Sequence, residues 1–116
     1  MERMPSKINT DQLLKAMLNA AARVLQQRWP AAREYADMEF RKLLIQAEHI
    51  KKLRAQKKIK EGEAKLLMDL QRNAMRSVFL TLEGLGIVTV EAAIQAALSV
   101  VRDSVNKAIG GGWRVL

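Results

Sequence analysis

Cysteine is absent from the 116-residue chain, which excludes a disulfide framework, a thiolate nucleophile and a cysteine zinc cage. Histidine occurs once, as His49, so an acid–base or nucleophilic constellation would have to be built around a single imidazole. Its neighbour Glu48 would point about 100° away on a helix. The Glu-x-x-His pairs that a di-iron bundle repeats on facing helices do not occur. Glu34 and Asp37 stand three residues apart between Arg33 and Arg41, a pattern that reads as salt-bridged surface groups rather than as cation ligands. No phosphate-cradling loop is present, and Gly84-Leu85-Gly86 is too short for a dinucleotide fingerprint. The six methionines fall at helical spacing and read as adaptable packing material. From these absences we expect no enzyme, no cofactor and no metal site.

A long uninterrupted apolar run is missing too. The opening MERMPSKINTDQLL has neither the apolar segment nor the small-residue cleavage site of a secretion signal. The longest weakly charged stretch, SVFLTLEGLGIVTVEAAIQAALSVV at 77–101, could span a bilayer by length alone. Glu83 and Glu91 interrupt it, and each acid near the centre of a span costs about 2.5 to 3.5 kcal/mol on insertion scales. The stretch therefore reads as buried in protein, with a membrane-associated helical protein as the lower-ranked alternative. We expect a location in the cytoplasm or inside a protein particle, without secretion through an N-terminal signal.

What remains is 49% hydrophobic and 28% charged, enough apolar material for the core of one small domain and too much for wholesale disorder. Apolar residues recur at helical period almost throughout, and the β-like words VFLTL and GIVTV lie inside such runs. The expected fold is all-α, an antiparallel bundle of about four helices that associates into oligomers.

Capable N-caps at Asn9, Thr10 and Asp11 start the first helix, which should reach Gln27 or Arg28. Trp29-Pro30 begins the second, expected from Pro30 to Lys57, because proline suits a first helical turn. On that helix Ala36, Phe40, Leu43, Ala47 and Ile50 share one face while Met38 and Ile45 lie nearly opposite, so cover is expected on two sides. The third starts within residues 59–63, with Glu63 placed as a capping-box acid and Lys60 standing where Ser or Thr is usual. Its stripe includes Ala64, Met68, Met75 and Phe79, with Leu66, Leu70 and Leu80 off it.

A break is expected at Gly84-Leu85-Gly86, and a fourth helix from about Thr89 to Ile109. Besides its main apolar stripe, this helix has a small-residue side formed by Ala92, Ala93, Ala96 and Val100. The domain should run over 1–109. Gly110-Gly111-Gly112 then act as a hinge for the apolar tail at 113–116, so Ala92, Ala93, Ala96, Val100, Trp113, Val115 and Leu116 are the expected assembly contacts.

The net charge of +8 is concentrated. Residues 41–60 hold Arg41, Lys42, Lys51, Lys52, Arg54, Lys57, Lys58 and Lys60 against Glu48 alone, while the rest of the chain is nearly neutral. Cations near a helix C-terminus gain about 0.3 to 1 kcal/mol each from the helix dipole, but the block at 51–60 is denser than that role requires. Lys51, Lys52, Arg54, Lys57, Lys58 and Lys60 are the expected contacts for an anionic partner, either an acidic protein surface or nucleic acid.

The reading that follows is a non-enzymatic structural or adaptor protein acting through self-association or docking into a larger assembly, such as a phage or other protein particle. The alternative is a nonspecific nucleic-acid binder using the same basic segment.

Overall fold

The computed structural model describes residues 10–109, with side chains to residue 104. Every regular element among them is helical: α1 at Thr10–Leu25, a 3-10 turn at Gln26–Arg28, α2 at Trp29–Ala55, α3 at Glu61–Leu80 and α4 at Ile87–Ile109. As expected, the β-like words VFLTL and GIVTV form no strand; both lie in or beside helices whose apolar stripes they continue. The proposed hinge and tail, residues 110–116, lie outside the described residues.

Each helix packs on its neighbours in sequence, and α1 also packs on α4, while among the described residues the backbones of the diagonal pairs α1–α3 and α2–α4 stay more than 8 Å apart between Cα atoms. That closed ring of contacts defines a four-helix bundle. Its up-and-down sense is visible where α3 meets α4. Arg72 Nη2 donates to Gln95 Oε1 at 2.9 Å, and one turn on Arg76 meets Glu91 one turn back, at 2.8 Å. Moving forward along α3 pairs with moving backward along α4, so the two helices run antiparallel.

At one end of the bundle the two tight connections come together. Gly84 has φ +87, and a Cβ there would fall 2.6 Å from Arg28 Cζ. The left-handed backbone is what favours glycine here, since the exposed Arg28 guanidinium lying against it is the mobile end of a side chain and can shift aside. The opposite end carries the α2–α3 loop. α2 has 27 residues, and its C-terminal end lies at the loop end of the bundle, since the 3-10 turn joins it to α1 at the other.

The core follows the helical stripes closely. Leu13, Leu14, Met17, Ala21 and Leu25 of α1 are buried, as are Phe40 and Leu43 of α2, Met68, Met75 and Phe79 of α3, and Val90, Ile94, Leu98 and Val101 of α4. Phe40 and Phe79 meet edge to face with centroids 6.1 Å apart, a geometry that adds about 0.5 to 1.5 kcal/mol beyond area burial.

The expected break at Gly84-Leu85-Gly86 is present, and one other expectation needs correction. The stretch 77–101 is two helices separated by residues 81–86, and Glu91 within it forms the interhelical ion pair with Arg76. No described helix is long and apolar enough to cross a membrane. Helix α2, expected to be covered on two sides, is covered on one: Met38 and Ile45 are 49% and 69% exposed within the chain.

Candidate interaction surfaces: a basic end and an uncovered helical face

The basic end is built by the way α2 stops. Lys57 N–H donates to Arg54 C=O at 3.0 Å and Lys58 N–H to Leu53 C=O at 2.9 Å. These two bonds are the Schellman pattern of a helix C-terminus. Its left-handed position is normally glycine, yet here it is Lys57, at φ 58. Arg54 Nη1 donates to Ile59 C=O at 3.2 Å, tying the loop back to the helix. Helix α3 then begins with Glu63 Oε1 accepting the Lys60 N–H at 2.9 Å. This is one half of a capping box. The other half cannot form through the Lys60 side chain, since an ammonium has no acceptor.

These anchors place the expected anion-contact residues at one tip of the bundle. Lys52, Arg54, Lys57, Lys58 and Lys60 are exposed and Lys51 is half-buried. The two apolar residues among them, Leu53 and Ile59, are partly buried, and Ile59 packs on the core. Arg41 and Lys42 belong to a different environment. Arg41 bonds Asp37 at 3.0 Å and Lys42 bonds the buried carboxylate of Glu39 at 3.1 Å. The +7 of residues 41–60 therefore divides into two locally neutralised cations and a compact group at 51–60.

The expected assembly contacts are dispersed. Ala92 is exposed, Ala96 and Val100 are half-buried, and Ala93 at 1% exposure belongs to the chain's own core. The small-residue side of α4 is thus used in part inside the subunit, where α1 and α4 form the most extensive helix pair. Trp113, Val115 and Leu116 lie outside the described residues.

A different apolar surface stands out instead. Of eight large apolar residues exposed among the described ones, Tyr35, Met38, Ile45, Leu66, Leu70 and Leu80 lie on α2 and α3, and only Ile87 and Val88 lie elsewhere. Met38 and Ile45 are about 20° apart around α2, and Leu66 and Leu70 about 40° apart around α3. Each pair points away from its helix's buried stripe, and the two helices lie side by side. The wheel that separates Met38 and Ile45 from the core face is the signal that finds this surface; the assembly-contact expectation passed over it in favour of small residues.

Chemistry of other kinds finds little to work with. His49 is exposed on α2. Glu34 and Asp37 line a surface groove with Leu18, Pro30 and Arg33, and Asp37 is already bonded to Arg41. No group of three or more His, Cys, Asp or Glu among the described residues is placed to hold a metal ion. No family model, curated protein or solved structure matches the chain.

Proposed function

We propose that this protein is a non-enzymatic helical assembly unit, which packs the outer face of α2 and α3 against a second copy of itself. The observation that carries the reading is the exposure of Met38, Ile45, Leu66 and Leu70 from two adjacent helices whose opposite faces are already buried. Large apolar residues left exposed on two neighbouring helices supply the apolar part of a contact site. A broad side of a molecule measuring 45 × 29 × 19 Å offers room for the roughly 800 Å² per partner that a standard interface buries.

Charge favours one arrangement of the pair. A parallel alignment would set the two 51–60 segments beside each other, like charge against like. A twofold axis across the helices places them at opposite poles and lets the same patch face itself, as an isologous contact requires. Larger assemblies follow if further apolar residues, such as Ile87 and Val88 at the start of α4, engage other copies.

Light scattering over a range of concentrations tests the proposal. The expected result is twice the mass of one chain, falling to the mass of one chain in an Ile45→Ser/Leu66→Ser variant that keeps its helical circular dichroism. A wild-type chain that stays monomeric throughout the soluble range overturns it.

A further inference from the structure

We infer that the basic tip of the bundle binds the phosphate backbone of duplex nucleic acid without reading its sequence. The tip is separate from the apolar α2–α3 face, and the inference does not rest on self-association.

Three features narrow the partner to a polyanion of this kind. The first is the distribution of the cations. Lys52, Arg54, Lys57, Lys58 and Lys60 are exposed within nine residues, and no ion pair among the described residues engages them, whereas Arg41 and Lys42 are held by Asp37 and Glu39. Glu61 and Glu63 follow in the first turn of α3, with Glu63 occupied by the Lys60 amide, so the exposed cations remain in excess.

The second feature is what lies between them. Leu53 and Ile59 are partly buried, and Ile59 packs on the core, so the segment 51–60 itself presents no exposed large apolar side chain for insertion into lipid, as interfacial membrane binding requires. It equally lacks the desolvated apolar or aromatic anchor that carries most affinity in a specific protein interface. With no aromatic residue in 51–60, bases of a single strand have nothing to stack on.

The third feature is geometry. Lys52 and Arg54 leave a helix about 160° apart, and Lys57, Lys58 and Lys60 leave the turn beyond it. Such a crown of long, flexible cations suits a partner carrying charge all along its length, one per roughly 1.7 Å of duplex axis. It gives no fixed donor arrangement of the kind that reads base edges.

Fluorescence anisotropy of two labelled 25-base-pair DNA duplexes of unrelated sequence tests the inference, with the full chain titrated from about 20 to 300 mM salt. Neutralising four or five phosphates predicts a log–log slope of about −3.6 to −4.5, the same for both duplexes. Lys52→Gln/Lys58→Gln should flatten it by about 1.8, since each lost duplex contact removes about 0.9. Ile45→Ser/Leu66→Ser should leave it in place whatever it does to the mass.

Three results overturn the inference: no duplex binding at the lowest salt, a slope untouched by the lysine substitutions, or a slope abolished by the apolar-face substitutions. Tighter binding to phosphatidylserine vesicles or to polyglutamate than to the duplex would also overturn it, by reassigning the tip to a membrane or an acidic protein. Circular dichroism on every variant confirms that the chain compared is folded, and light scattering on the same samples reports self-association separately.

Discussion

Both faces of α2 carry large apolar residues, but only the inner one is filled; on the outer face Met38 and Ile45 stand among exposed Glu34, Arg41 and His49. On the inner face Phe40, Leu43 and Ile50 are fully buried; on the outer face, opposite them, Ile45 is 69% exposed. The same residue chemistry at the same helical spacing thus has two fates, set by whether another helix lies against it. Helix α1 makes the contrast plainer, because none of its large apolar residues is exposed. Amphipathic α1 is a finished element within one chain, while α2 and α3 retain a side whose cover must come from elsewhere if it is covered at all.

Substitutions can break this contrast or sharpen it. The largest effect should come from the inner face: Phe40→Ala removes a fully buried ring and its contact with Phe79, with an expected loss of about 3 to 5 kcal/mol. Urea unfolding measures it, and a loss below about 1 kcal/mol would mean that this side is less well packed than its burial indicates.

The boundary between the faces comes next. Glu39, at 2% exposure, is the buried charged residue of the described core, and its carboxylate meets Lys42 Nζ at 3.1 Å. Lys42→Ala strips that carboxylate of its partner and should cost about 1 to 3 kcal/mol. Glu39→Met/Lys42→Ala should recover much of this, because replacing both partners by apolar groups leaves nothing unsatisfied. A double variant no more stable than Lys42→Ala alone would show that the pair is not what holds this boundary.

At the end of the same helix the sign reverses. Lys57 occupies a left-handed position with φ 58, a conformation that costs a residue with a side chain about 1 kcal/mol or more. Lys57→Gly should therefore raise stability by about 1 kcal/mol and the thermal midpoint by several degrees. It also removes one cation from the tip. A variant that melts higher while its duplex affinity weakens would separate the structural role of this position from its electrostatic one; a lower melting point would contradict the strain assigned to it.

The smallest effect on chain stability belongs to the outer face. Ile45→Ser should change the unfolding free energy of the isolated chain by no more than about 0.5 kcal/mol, as for other exposed positions. Measured where light scattering shows a single chain, a loss comparable to that of Phe40→Ala would show that the outer face is covered within the subunit and would remove the contrast altogether.

Helical period was legible because burial of one stripe per helix leaves a repeat of three and four residues. This is why the main stripes of α2 and α3 coincide with the buried residues, and why Gly84 could be placed in a break. Helix ends were less legible. The end of α2 was expected at Lys57 and lies at Ala55, because the left-handed capping position carries lysine in place of the glycine that usually marks it. Glu91 was visible as a charge within a weakly charged stretch, but not as the partner of Arg76 fifteen residues earlier, since that pairing depends on the register of two helices. The small-residue side of α4 was readable as a close-packing surface. That Ala93 meets this need inside the chain's own core depends on where α1 lies.

The sequence by itself determined the all-helical character, the main apolar stripes and the concentration of positive charge, because each is a local property of spacing and composition. Tertiary structure decided which of two apolar faces is covered. It also decided the pairing of Arg76 on α3 with Glu91 on α4, whereas Arg41 and Lys42 meet Asp37 and Glu39 within a turn of their own helix, as local spacing allows. Covering and pairing require a second surface at contact distance, and only the packing of the helices supplies one.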